Sequence, residues 1–182
     1  MLEVKPYNRM HAKEYAKRWA FERNPLFYSF SGIGGDCTSF ISQCVYAGCC
    51  VMNDTPTFGW YYRSLNDRAP AWTGVPYFYR FITENEGAGP FGESVASTSL
   101  ELGDVIQLGD ENGRFYHSLL VTGFEQNDYL VSTHSYDAFN RRLSTYSYEQ
   151  ARYIHITGVR TEAGKNKTGC FVDLINGLHI HG

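Results

Sequence analysis

SGIGGDCTSFISQCVYAG, Ser31 to Gly48, sets three glycines and an aspartate directly ahead of an apolar run at Cys37, Phe40, Ile41, Cys44 and Val45. Spacings of three and four fall on one side of a helix, so the run predicts a helix whose first turn holds Cys37 and whose stop is Gly48. The glycine stretch reads as a loop that delivers the chain to it. Asp36 reads as the helix cap, its carboxylate accepting from first-turn N–H groups. Cys44 lies on the apolar stripe and is expected in the core.

Upstream, Met10, Ala12, Tyr15, Ala16, Trp19 and Ala20 recur at helical spacing from Asn8 to about Arg23, where Asn24-Pro25 stops the pattern. Downstream, residues 53–99 mix turn formers with aromatics and predict irregular segments with one short helix near Tyr77 to Asn85. From Leu102 the pattern turns strand-like: DVIQL, HSLLVTGF, DYLVSTHS and RYIHITGVR, separated by turn signals at Gly109 to Gly113, at Gln126-Asn127 and around Asn140. Helices first and strands afterwards predict an α+β domain, the early helices packed on a C-terminal antiparallel sheet. Residues 1–160 are expected to form that domain, and residues 161–182 a tail that docks on it or hangs free.

The 182 residues suffice for one core, and 43% hydrophobic with 19% charged composition excludes a disordered chain. A net charge of -3 without a basic block argues against a nucleic-acid partner. No apolar run reaches the length of a transmembrane helix, and no secretory signal is visible after Met1. Cys37, Cys44, Cys49, Cys50 and Cys170 include no C-x-x-C pair, so no metal site is expected. An odd count leaves at least one thiol free. Cys49 and Cys50 are expected as two small buried thiols, since a bond between neighbours is strained. The closing His179 and His181 read as a surface pair too small to hold a metal.

Chemistry concentrates at Cys37. A free cysteine with a pKa of about 8.5 is mostly protonated at neutral pH, and a thiolate is the nucleophile. A helix start supplies unpaired N–H groups and the positive end of a dipole, which would lower that pKa and offer oxyanion donors from the Asp36 and Cys37 backbone. His117 opens HSLLVTGF at the sheet edge and is the candidate base. A hairpin through Glu125 to Asp128 would bring His134 to the same rim as a third member, with Asp137 as its rival. His155 alternates with Ile154 and Ile156 and reads as solvent-side. Trp60, Tyr61, Tyr62 and Trp72 are weak candidates for substrate contact, against a plain core role.

The segments YNRMHAKEYAKRWAFERNPLF, GDCTSFISQCVYAG, GWYY, AWTGV, ELGDVIQL, YHSLLVTG and STHSYDAFNRRLSTY resemble, in order over roughly residues 7–157, the bacterial Putative amidase domain family. That family is similar to the CHAP and NlpC types of cell-wall cysteine peptidase within the papain-like superfamily. The resemblance implies a papain-like fold, Cys37 as nucleophile, His117 as general base and His134 as the orienting residue. It also implies a substrate in the peptide part of peptidoglycan, no cofactor, and an extracellular or cell-wall setting. Cys49-Cys50 stands where the pattern leads one to expect further glycine. The leading expectation is therefore a cysteine hydrolase of amide or peptide bonds. A silent module holding cell-wall glycan or peptide through an aromatic cleft, and a transacylase using the same Cys-His pair, are the alternatives.

Overall fold

The first helix starts where Asn8 accepts a hydrogen bond from the His11 N–H, 3.0 Å from its side-chain oxygen. The computed structural model describes residues 1–165 and 167–181. In chain order its elements are β1 (Leu2–Lys5), α1 (Arg9–Trp19), α2 (Asp36–Cys49), β2 (Tyr62–Ser64), β3 (Asp67–Arg68), α3 (Pro70–Thr73), α4 (Val75–Glu84) and β4 (Gly89–Val95). Then follow β5 (Val105–Gly109), β6 (Phe115–Glu125), β7 (Asp128–Thr133), β8 (Ala138–Arg142), β9 (Gln150–Glu162) and α5 (Cys170–Ile175).

The fold is α+β; the described residues form five helices, a seven-stranded antiparallel sheet in the order β1-β9-β5-β6-β7-β8 with β4 also pairing with β9, and a two-stranded sheet of β2 and β3. Alternation along the strands sorts two faces. Val105, Leu120, Ile154 and Ile156 pack with the helices, whereas Ile106, Leu108, Leu119 and Val121 build a second cluster with Val131 and Leu143. The expected hairpin is present, with Glu125 paired to Asp128.

Helix α2 lies between α1 and the sheet. Gly48 is there because a Cβ would sit 2.2 Å from the Tyr7 ring and 2.8 Å from the Asn8 carbonyl, whose residue donates its N–H to the Gly48 carbonyl at 2.8 Å. A second tie fixes α1 to the sheet. Fully buried Asp104 takes Arg9 Nη1 at 2.7 Å and the Ile156 N–H at 2.9 Å on one oxygen, and the Glu101 N–H and His155 Nδ1, each at 2.8 Å, on the other. His155 thus has a buried carboxylate as hydrogen-bond partner and is not a free solvent-side residue. Strand alternation ranks its two neighbours correctly but does not show that a buried carboxylate waits beside it.

The aromatic stretch is core. Trp60 and Trp72 are fully buried, their rings 4.8 Å apart, and Tyr61 and Tyr62 are buried with them. These rings supply no substrate cleft. Their polar atoms are spent internally where they bond, the Trp60 indole N–H donating to Ser42 Oγ at 3.0 Å. Met10, counted on the buried side of α1, is half exposed.

Cys50 is disulfide-bonded to Cys170, and Cys49 is free and half-buried, so the two neighbours are not a matched pair of thiols. Cys50 takes the left-handed conformation that ends α2 (φ 53°), which separates it from the direction of Cys49. The bridge seats α5 on α1 and α2. Trp19 Nε1 donates to the Ile175 carbonyl at 3.0 Å, Asn24 Nδ2 to the Leu174 carbonyl at 2.9 Å, and Tyr46 to the His181 carbonyl at 2.6 Å. His181 lies 2.7 Å from Asp173, so it has a partner and is not a stray surface imidazole. The bridge spans 120 residues. Cys170→Ser is expected to lower stability by about 2–5 kcal/mol, read as a lower urea midpoint, and reductant is expected to bring the wild type to the same midpoint.

Candidate active site

Cys37 stands in the first turn of α2, after a left-handed Gly35 (φ 91°) whose imagined Cβ would meet the Thr73 carbonyl at 3.2 Å. Only glycine suits that junction. The first intrahelical partner is Ser39, whose N–H donates to the Gly35 carbonyl at 2.9 Å, which leaves the N–H groups of Asp36, Cys37 and Thr38 without an intrahelical acceptor. Of these, the Thr38 N–H is directed at the Cys37 sulfur.

Asp36 does not cap the helix. Gly35 holds the cap position without a side chain, and the Asp36 carboxylate turns away to accept the Phe30 N–H at 3.0 Å. Its other oxygen lies 3.0 Å from Arg23 Nη2 and 3.2 Å from His134 Nδ1. Burial alone would raise this carboxyl, but the His134 contact and charge, the Arg23 charge and the Phe30 N–H together hold it below the ordinary carboxylate value. Arg23 also grips Asp137 through both nitrogens, at 2.9 and 3.0 Å. One run of contacts therefore joins Asp137, Arg23, Asp36 and His134.

His134 is 2% exposed and stacks on Phe40 of α2, ring centroids 3.9 Å apart. Its Nε2 is 2.9 Å from the Trp19 carbonyl and its Nδ1 faces Asp36. Both ring nitrogens are engaged, and neither meets His117. Asp137, the rival third member, reaches the site only through Arg23.

The Cys37 sulfur is 5% exposed and faces β6. The Ser118 N–H is directed at it, and the Thr38 hydroxyl is 3.8 Å away. Burial pushes the thiol above its ordinary value; the Ser118 N–H and Thr38 oppose that push, and the Asp36 charge adds to it. The helix start alone does not acidify this thiol, because burial outweighs the N–H and hydroxyl donors and the charge that reaches it is a carboxylate.

His117 is the residue before Ser118. It pairs across β5 with Leu108 and shares its side of β6 with Leu119, while Ser118 faces α2. Its ring lies 6.2 Å from that of Tyr146, and among the described residues no hydrogen bond joins it to Cys37 or His134. Burial, then the Arg141 charge, lowers it to about 4, so the ring is neutral at neutral pH. The resting site is a thiol and a neutral imidazole.

Sequence reading missed Arg23, Thr38 and Ser118. Arg23 looked like the frayed end of a helix, and the two hydroxyls sit in runs whose apolar neighbours carry the signal. A cavity of about 700 Å³ lined by Phe58, Tyr77, Arg80 and Phe81 contains none of Cys37, His117 and His134, and we assign it no chemistry. Among the described residues no group of three His, Cys, Asp or Glu could hold a metal, and no helix is long and apolar enough to cross a membrane.

The family model described as Putative amidase domain matches residues 6–157. An uncharacterized protein of Bacillus subtilis (strain 168), YhbB, is 33% identical over 150 residues, covering 80% of this chain and 46% of the relative. The chain thus spans about half of that relative's length. No solved structure matches.

The depressed His117 gives a testable slope. Between its folded value of about 4 and the ordinary 6.5 the unfolded chain binds the extra proton, so stability rises with pH through that window and is lost as pH falls. Urea midpoints at pH 5 and pH 7 are expected to lie closer together in His117→Gln than in the wild type.

Proposed function

The chain belongs to the Putative amidase domain family, a family of amide-bond hydrolases by its description, and on that premise we propose a cysteine mechanism on a papain-like scaffold. The observation that carries this reading is Cys37 in the first turn of α2 with its sulfur against the Ser118 N–H, the peptide unit that also bears His117. Cys37 Sγ attacks the amide carbonyl as its proton passes to His117, once that ring swings from the Leu119 side of β6 to the sulfur. Backbone N–H groups of the α2 first turn hold the oxyanion. His117 returns the proton to the leaving amine, and water then releases the acyl group from sulfur.

A neutral, half-buried imidazole without a hydrogen bond supports the role of base, since it can take a proton without first losing one. His134 and Asp36 act in this reading by pinning the first turn of α2 to the turn that follows β7. The substrate is the peptide part of bacterial cell wall, by kinship. The Cys50–Cys170 bridge supports a setting outside the reducing cytoplasm.

One observation favours a second reading. His134 faces α2, lies 3.2 Å from Asp36 and has the carboxylate partner of a general base, so it would take the proton if its Nε2 left the Trp19 carbonyl. Digests of purified peptidoglycan, with new ends identified by mass, separate the cases. In the first reading Cys37→Ala is inactive and His117→Gln falls by about 100-fold or more, with His134→Gln affected less. The reverse order of the two histidines supports the second, and full activity in Cys37→Ala contradicts both. Products shifted onto added amines would make the enzyme a transacylase.

A further inference from the structure

Behind Cys37 a run of buried polar side chains crosses the sheet. Arg152 on β9 donates Nε to Gln107 Oε1 at 2.8 Å. Gln107 on β5 donates Nε2 to the Val75 carbonyl at 2.9 Å and to Ser118 Oγ at 3.1 Å. Ser118 Oγ is 3.0 Å from Thr38 Oγ1, and Thr38 Oγ1 is 3.8 Å from Cys37 Sγ. Gln107, Ser118 and Thr38 are each fully buried.

The direction of the run is fixed by its far end. A guanidinium only donates and a backbone carbonyl only accepts, so the Gln107 amide has one orientation, oxygen to Arg152 and nitrogen to Val75 and Ser118. Ser118 accepts from Gln107; either hydroxyl of the Ser118–Thr38 pair could donate, but among the described residues Ser118 has no other acceptor for its proton, which assigns that proton to Thr38 Oγ1. Thr38, having accepted, is left with its proton for sulfur. Arg152 is held in place for this by the rings of Tyr79 and Phe115, 3.7 and 4.0 Å from its guanidinium carbon.

We propose that Arg152, Gln107, Ser118 and Thr38 form a one-way hydrogen-bond chain that points the Thr38 O–H at Cys37 Sγ and so stabilises its thiolate. Together with the Ser118 and Thr38 N–H groups it gives the sulfur three donors where the charges around it give little help. The titratable groups around it are Asp36 on α2, with Arg23 and the imidazole of His134, just after β7, turned to it, and the neutral His117 on β6. Arg152 and Gln107 are positioning residues, acting through the hydroxyls. The inference rests on Cys37 being the nucleophile, but its test needs no substrate.

The test is the rate of Cys37 alkylation by iodoacetamide across pH, read on the Cys37 peptide by mass so that Cys44 and Cys49 do not contribute. Thr38→Val keeps shape and loses the donor; its rate at pH 7 is expected to fall about tenfold, with the profile moved to higher pH. Thr38→Ser is expected to keep the wild-type profile. An unchanged profile in Thr38→Val overturns the proposal, and so does a Thr38→Ser profile moved as far as that of Thr38→Val, which would make the methyl the cause. If Thr38→Val fails to fold, Gln107→Met cuts the chain two links away: a profile moved to higher pH supports the proposal and an unmoved one overturns it. Loss of cleavage in Cys37→Ala is a separate result and belongs to the proposed function.

Discussion

Helix α2 has no face toward water: every residue from Asp36 to Gly48 is buried. A helix in that position must satisfy its own polar side chains inside the protein, since a buried donor or acceptor left alone costs about 1–3 kcal/mol. The rest of the structure is arranged around this constraint. Gln43 meets Tyr15 of α1 at 2.7 Å, Ser42 meets Trp60 and the Trp72 carbonyl, Thr38 meets Ser118 of β6, and Asp36 meets Arg23 and His134. Each bond joins α2 to a different element. The polar inventory of one helix thereby fixes where the loops and strands stand around Cys37.

That constraint also explains the chemistry at the helix start. Asp36 would be an ordinary cap on an exposed helix, but here the buried carboxylate needs a cation, and Arg23 and His134 answer it. The cost falls on Cys37, which loses both as partners and is left with neutral donors. In the proposed mechanism a thiol held above its ordinary value and a neutral imidazole ionise during the reaction and not before it.

Elements whose burial follows one period were legible. The Cys37, Phe40, Ile41, Cys44, Val45 stripe gave α2, and DVIQL, HSLLVTGF, DYLVSTHS and RYIHITGVR gave β5, β6, β7 and β9. Strands β1 and β8 were not legible because they are edge strands with mostly exposed residues and carry no alternation. Turn residues hid β4, whose GPFG start pairs with β9 all the same. At the site, the helix-start position of Cys37 could be read locally. The contacts of Asp36 with His134, His134 with Trp19 and Ser118 with Thr38 could not, because each joins residues 80 or more apart in sequence, and alternation alone does not say on which face of β6 a histidine at its open end will lie. The Cys50–Cys170 bridge was hidden for the same reason.

The account turns on Cys37 being the atom that carries the acyl group. Purified protein mixed with peptidoglycan peptides, quenched in acid within a turnover and mapped by mass spectrometry, should show an acyl adduct on the Cys37 peptide that disappears on raising the pH. Turnover with no adduct on Cys37, or an adduct on another residue, would contradict it.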